Sequence, residues 1–256
     1  MIDLHAHILP GIDDGPRTLE DAIEMARVAR ADGIAAIAAT SHAGDRSFGW
    51  TREQYEAALA SVRAVLSEAE IDLEIIPGCE ALIDPALPAE VGKGQVRTLN
   101  DGRFLLLELP FLQYPSYVER VVFDLQLAGV MPVLAHAERY RAIQEDPNRL
   151  IPLIERGVLV QVTAASVLGD FGERPRETAE ILATHNLLHL LASDAHDARR
   201  RAPAMSEAAR RLASWTSEDF ADEATRRVPE AIVASRPMPL RTPRQYKRRR
   251  GWLNWR

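Results

Sequence analysis

Short runs of uninterrupted hydrophobic residues recur along this chain almost to its end, with longer amphipathic stretches between them. The runs are IDL (2–4), IAAIAAT (34–40), LEIIPG (73–78), RFLLLEL (103–109), VMPVLA (130–135), VLVQVT (158–163) and LLHLLAS (187–193). Apolar runs without polar alternation are the pattern of parallel strands buried on both faces. Between them lie helical segments at 18–33, 51–70, 116–129, 147–157 and 174–186. The first two open with Thr18/Asp21 and Thr51/Gln54, spaced as capping boxes. Gly33, Gly129 and Gly157 stand where helix C-termini should end. The stretch 81–101, with Pro85 and Pro88, reads as a long connection holding one short helix. Strands alternating with helices predict an α/β fold, either a (β/α) barrel or an open doubly wound sheet. Neither G-x-G-x-x-G nor G-x-x-x-x-G-K-[ST] occurs, which counts against a nucleotide-binding open sheet.

Bulk properties narrow the setting. A chain of 256 residues, 46% hydrophobic and 27% charged, suits one large globular domain or two small ones. No apolar run approaches the roughly 20 residues of a membrane helix, and the N-terminus does not read as a signal peptide. The single cysteine, Cys79, permits no internal disulfide and fits a reducing, cytoplasmic compartment. The formal charge of −6 divides into +7 over 241–256 and −13 before it. So acidic a body repels phosphate backbones, and no nucleic-acid partner is expected.

Chemistry collects at the C-terminal ends of the apolar runs. The first is followed by His5, His7 and Asp14, the second by His42, and the third by Glu80. The fourth carries Glu108, the fifth His136, and the seventh Asp194 and His196, while the sixth offers no ligand. His5 and His7 share a side through the two-residue period of a strand, and Asp194 and His196 repeat that spacing. In a parallel barrel all these ends open on one face. Glu108 sits inside an apolar run, where an unpaired carboxylate is costly and nearby cations would explain it. His189 has the opposite parity to Asp194 and should face the helices, and His185 lies near a helix end. Nine ligands exceed the four that zinc usually takes, and mixed imidazole and carboxylate donors suit two or three Mn, Fe or Zn ions. Such clusters favour hydrolysis of phosphate esters.

The segments DLHAHILPGIDDGP, ATSH, GCE, HAERY and SDAH resemble the PHP family, named for polymerase and histidinol phosphatase domains. GIDDGPRTLEDAIEMARVARADGI, ELPF, QVTAASVLGDFG and SDAHDARRRAP resemble its bacterial protein-tyrosine phosphatase branch, associated with capsule and exopolysaccharide synthesis. The likeness spans about residues 1–240 and implies a distorted (β/α)7 TIM-like barrel with the active site at the C-terminal strand ends. It also implies a metal centre of two or three divalent ions, manganese foremost, held by His5, His7, Asp14, His42, Glu80, Glu108, His136, Asp194 and His196. Arg139 and Arg201 match the branch's catalytic arginines. The implied substrate is phosphotyrosine on the tail of a membrane-associated bacterial tyrosine kinase. Ala43 and Ala137 stand where relatives often have proline, and neither change removes a ligand.

Three rival functions follow from the same pattern: a small-molecule phosphatase acting on histidinol phosphate, a nuclease-like PHP domain, and a non-catalytic module holding metals for structure. The acidic body disfavours the nuclease. Cys79 does not open a C-x5-R motif, since Pro85 stands six residues on, and it reads as a small buried residue. The segment RTPRQYKRRRGWLNWR (241–256) forms a separate basic tail. Such charge runs are commonly solvated, while cations beside tryptophans also suit an anionic membrane surface.

Overall fold

The structure, a computed structural model, describes residues 1–43, 49–94 and 96–247. Each of the seven apolar runs contains a strand, and two further short strands occur among the described residues. In chain order these are β1 (Ile2–Ala6), β2 (Ala36–Ala39), β3 (His42–Ala43), β4 (Glu74–Pro77), β5 (Glu80–Leu82), β6 (Phe104–Glu108), β7 (Met131–Leu134), β8 (Leu159–Thr163) and β9 (Leu190–Ala192). All strand pairings are parallel, in sheets of order β1-β2-β4 and β3-β5-β6-β7-β8-β9. The expected α/β architecture is present, and its ladder is interrupted.

The interruption falls where the second and third runs pass from one sheet to the other, at Thr40–Ser41 and Gly78–Cys79. One side chain serves both breaks. The Tyr55 hydroxyl donates to the Ala39 carbonyl (2.8 Å) and accepts from the Gly78 amide (3.0 Å). It thereby satisfies backbone groups that a continuous ladder would pair. Gly78 cannot carry a side chain without strain, because a Cβ there would lie 2.9 Å from Leu99 Cδ2. Glu80 therefore belongs to a strand of its own, β5, rather than to the loop after β4.

The first and last strands meet through a parallel bridge between Ala6 and Ala195. The His7 amide donates to the Ala195 carbonyl and the Asp194 amide to the His5 carbonyl, each at 2.8 Å. Beneath this bridge the fully buried Asp3 carboxylate accepts from the Ser193 amide and hydroxyl and from the His5 amide.

Both predicted capping boxes form, on the helices Leu19–Ala31 and Arg52–Glu68. The connection after β5 holds the expected short helix, Leu87–Gly92. Apolar side chains sort into two clusters. The smaller joins Leu4, Ala36, Ala38, Ile76, Leu106, Val133, Ala135, Leu159 and Leu190 from the strands with Val228 and Ile232 of the helix Val228–Val233. The larger packs the other strand faces, such as Ile37, Ile75, Leu105 and Val160, against the surrounding helices. No described helix is long and apolar enough to cross a membrane.

Beyond Val233 the chain runs back over the body. Arg241 pairs with Asp219 (2.9 Å) and Glu223 (2.7 Å). Asn148 exchanges two hydrogen bonds with the Tyr246 backbone, and Asn186 donates to the Thr242 carbonyl. The basic tail is thus held against acidic and amide groups as far as Tyr246. Arg248, Arg249, Arg250, Trp252, Leu253, Trp255 and Arg256 lie outside the described residues.

His189 shows how one of these elements responds to acid. Its Nδ1 accepts from the Val160 amide (3.1 Å) and its buried Nε2 has no partner, with Glu223 and Arg241 lining the small space beside it. Burial lowers its pKa from 6.5 to about 4. Between those values the unfolded chain binds the extra proton, so this contribution to stability is full above pH ~6.5 and is lost as pH falls toward 4, by up to about 3 kcal/mol. Urea unfolding at pH 7 and pH 5 should show a smaller acid-induced loss for His189→Gln than for the wild type. Equal losses would refute the assignment.

Candidate metal centre

Alternation along the strands decides which side chains reach the centre. Continuing the parity of Ala36 and Ala38 places His42 on the side of the smaller cluster. Ile76 does the same for Glu80, Leu106 for Glu108, and Leu190 for Asp194. Strict alternation does not account for His5, His7 and His136, and the backbone is irregular in β1 and at the ends of β7 and β9. The β1 register shifts between Asp3 and Ala6. Leu4 consequently joins the smaller cluster and Ala6 the larger, and His5 and His7 turn to the centre. His136 stands at φ 29° and Asp194 at φ 55°, strained values for residues with a Cβ.

All nine sequence-predicted ligands come together. They form four overlapping groups: His7/Asp14/His42/His196, His5/His7/Glu80, His5/His136/Asp194 and His42/Glu80/Glu108. Within each group the candidate donor atoms lie within 4.8 Å of one another. Glu80 is central. Its Oε1 is 2.8 Å from His136 Nε2, and its Oε2 lies 3.3 Å from His5 Nε2, 3.5 Å from His7 Nε2 and 3.1 Å from His42 Nδ1. Asp14, with its side chain about half exposed, faces His196 Nε2 at 3.3 Å. His185 and His189 lie outside the cluster.

The electrostatics follow from burial. Burial alone would raise the Glu80 carboxyl, but His5, His136 and His7 hold it well below the ordinary range. For His5 burial opposes the charge, yet Glu80 and Asp194 push the imidazole up to about 9. Burial and then the Glu80 charge raise Glu108 to about 8. The carboxylates thus demand positive charge. The imidazoles of His5 and His7, both pushed up, can meet part of that demand, and divalent cations would meet it in their place. Cation ligation also suits His5 Nε2 and His7 Nε2, buried ring nitrogens that make no hydrogen bond.

The partners behind the cluster were not legible as site residues. The buried Asp13 carboxylate contacts His7 Nδ1 at 2.7 Å and accepts from the Gly15 and His42 amides. Gln161 Oε1 lies 3.1 Å from His5 Nδ1 and accepts from the His136 amide at 2.8 Å. His196 Nδ1 lies 3.0 Å from the Asp194 carbonyl. Each acceptor fixes the ring with Nδ1–H outward and the Nε2 lone pair toward the centre. Gly15 is close enough to His7 that a Cβ would sit 2.5 Å from its carbonyl oxygen. The sixth run therefore contributes through Gln161, a polar residue inside an apolar strand, which was the available signal.

Arg139 and Arg201 both converge on Asp194 Oδ2, at 3.0 and 2.8 Å. The Arg139 guanidinium lies 4.6 Å over the Phe111 ring and 4.4 Å over the Phe171 ring. Cys79 is buried, and burial pushes its thiol up to about 12, so it is no nucleophile.

Comparison with known proteins places the whole arrangement. The family model described as capsular polysaccharide synthesis, CpsB/CapC, matches residues 1–234. Tyrosine-protein phosphatase YwqE of Bacillus subtilis is 39% identical over 201 residues, covering 78% of this chain and 79% of the relative. Putative tyrosine-protein phosphatase CapC of Staphylococcus aureus is 33% identical over the same shares. The fold matches a chain from the crystal structures of YwqE and of CpsB from Streptococcus pneumoniae, described as unique metal-dependent tyrosine phosphatases. That match has a TM-score of 0.92 and 35% identity, over 97% of this chain and 100% of the other.

The outward ring contacts generate a measurable expectation. Gln161→Ala removes the acceptor for His5 and for the His136 backbone without replacing a predicted ligand. Metal affinity measured by calorimetry should fall by roughly 10–100-fold. An unchanged affinity would mean that Gln161 does not orient the ligands.

Proposed function

The chain belongs to the capsular polysaccharide synthesis CpsB/CapC family, and from that premise we propose that it hydrolyses phosphotyrosine in proteins with divalent ions held by the nine clustered side chains. It is a metal-dependent protein-tyrosine phosphatase acting in the context of capsular or exopolysaccharide synthesis. The observation that carries this reading is the set of four donor groups sharing His5, His7, His42 and Glu80, a design for more than one ion. Manganese is the proposed metal. The proposed substrate is the phosphotyrosine-bearing tail of a bacterial tyrosine kinase.

His5, His7, Asp14, His42, Glu80, Glu108, His136, Asp194 and His196 would hold the ions, with the two oxygens of Glu80 facing different histidines. When bound, such ions polarise phosphoryl oxygens and lower the pKa of water from ~15.7 toward ~7. Arg139 and Arg201 present their guanidinium groups at the rim, where each can take a phosphoryl oxygen in a forked contact. Both are already oriented by Asp194. The leaving phenolate has a pKa near ~10, so tyrosine departs with less protonation than a serine alkoxide requires. No phosphoenzyme is needed, in keeping with the buried, protonated Cys79.

Metal analysis and turnover measured together test these roles. Chelation, His7→Ala or Glu80→Ala should remove metal and phosphotyrosine-peptide hydrolysis alike. Arg201→Ala should keep its metal and lose about 10²–10³-fold in kcat, the usual cost of one donor to the transition state. Loss of metal from Arg201→Ala, or full turnover by Glu80→Ala, would overturn the assignments. Faster hydrolysis of histidinol phosphate than of phosphotyrosine peptide would favour the small-molecule reading.

For the basic tail we propose contact with anionic membrane, on the composition of Arg248–Arg250 with Trp252 and Trp255. A chain ending at Lys247 keeps the contacts of Arg241 and Tyr246 with the body. It should hydrolyse a soluble phosphopeptide as the full chain does, yet bind anionic vesicles more weakly at low salt. Equal vesicle binding by the two proteins would exclude a membrane role.

A further inference from the structure

We propose that Phe111 and Leu112 form an aryl subsite at the lip of the metal centre, which receives the phenyl ring of the substrate phosphotyrosine. The proposal rests on the phosphatase reading above and names the residues that recognise the tyrosine side chain. Phe111 and Leu112 follow β6, whose last residue is the proposed ligand Glu108. Four large hydrophobic side chains stand exposed among the described residues: Phe111 at 36%, Leu112 at 79%, Phe123 and Leu127. Two of them are consecutive, and the first, Phe111, lies against His136 and Arg139 of the site.

The Phe111 ring is fixed in place. It stacks on His136 with centroids 5.1 Å apart and planes inclined by 29°, and it packs on Tyr140 at 5.8 Å. Its carbonyl accepts from the Arg141 amide at 3.0 Å, tying the loop to the turn that carries Arg139. Arg139 in turn lies against the same ring and reaches Asp194. A phosphoryl group held by Arg139 and Arg201 therefore places its ester substituent beside Phe111. A flat apolar ring can cover the exposed part of Phe111 and Leu112, whereas the single methylene of phosphoserine is too short to do so. Two adjacent apolar side chains left open beside a polar centre offer surface for an apolar group of the substrate.

The remaining walls are mixed. One cavity next to Asp194, about 160 Å³, is lined by Asp170, Arg199, Arg200 and Arg201 together with Phe171 and Leu168. Another, about 480 Å³, runs past Asp14 between Arg17, Asp21 and Glu24. Charge on those sides suits the peptide flanking the tyrosine, and of the two rings that flank Arg139, Phe111 is the one that also stacks on His136 and stands open to solvent.

The test uses the manganese-loaded full chain, with phenylphosphonate and methylphosphonate as non-hydrolysable probes and a phosphotyrosine peptide as substrate. Phe111→Ala should weaken phenylphosphonate binding by calorimetry, and raise the peptide KM, by about tenfold, the scale of one aromatic contact. Methylphosphonate affinity should stay at the wild-type value. Phe111→Tyr should restore phenylphosphonate binding, and Leu112→Ala, which touches no ligand, should weaken it by about threefold. Equal weakening of both phosphonates would show that the ring only buttresses Arg139, and would overturn the subsite. So would unchanged phenylphosphonate affinity in both alanine variants. A wild-type enzyme that binds both phosphonates without hydrolysing the peptide would instead sink the phosphatase reading and the subsite with it.

Discussion

A carboxylate buried to 1% exposure cannot stand alone, and the Glu80 carboxylate is the point from which the site is organised. Desolvation would drive it to the neutral form unless positive charge were packed around it. Four imidazoles, from β1 and the residue just past it, from β3 and from the end of β7, converge on its two oxygens. Asp194 repeats the arrangement with two guanidinium groups outside and three imidazoles on its other oxygen. Each of these groups is tolerable in the interior only because the others are present. The centre therefore behaves as one electrostatic unit, and any ion entering it competes with protons for the same lone pairs.

The fold delivers that unit by departing from regularity at chosen places. The parity of the strands suffices for His42, Glu80 and Glu108, and Asp194 keeps that parity at a positive φ. The register shift in β1 and the positive φ of His136 supply the ligands that alternation cannot. Tyr55 closes the gap in the ladder that lets β3 and β5 carry His42 and Glu80 on a separate sheet. Such irregularities cost free energy locally, and the packed clusters on either side of the strands hold them in place.

Much of this was legible in the sequence, for physical reasons. Seven apolar runs announced buried parallel strands, and Thr18/Asp21 and Thr51/Gln54 announced helix starts through hydrogen bonds the structure contains. The ligand set was legible because strand ends of a parallel fold share one face. The supporting residues were not. Asp13 stands beside Asp14 in sequence, and only the turn geometry decides which carboxylate faces His7 from behind. Gln161 differs from a buried structural amide only through the two groups it meets from distant strands. The docking of Arg241 and Tyr246 depends on Asp219, Glu223 and Asn148, whose proximity no local pattern encodes.

The bridge between Ala6 and Ala195 has a consequence for how the protein is made. Asp3 and Ser193, which close it, are 190 positions apart, and His5 and Asp194 are its neighbours. At ribosomal speeds of roughly 5–20 residues per second, about 10–40 s separate the synthesis of the two ends of the bridge. During that interval β1 can pair with β2 but not with its other neighbour, and the imidazoles of His5 and His7 have no Asp194 carboxylate to meet. A nascent or prematurely terminated chain thus lacks Asp194 and His196 of the clustered side chains however well its first half folds. The full cluster of nine side chains exists only in a chain whose synthesis has passed His196.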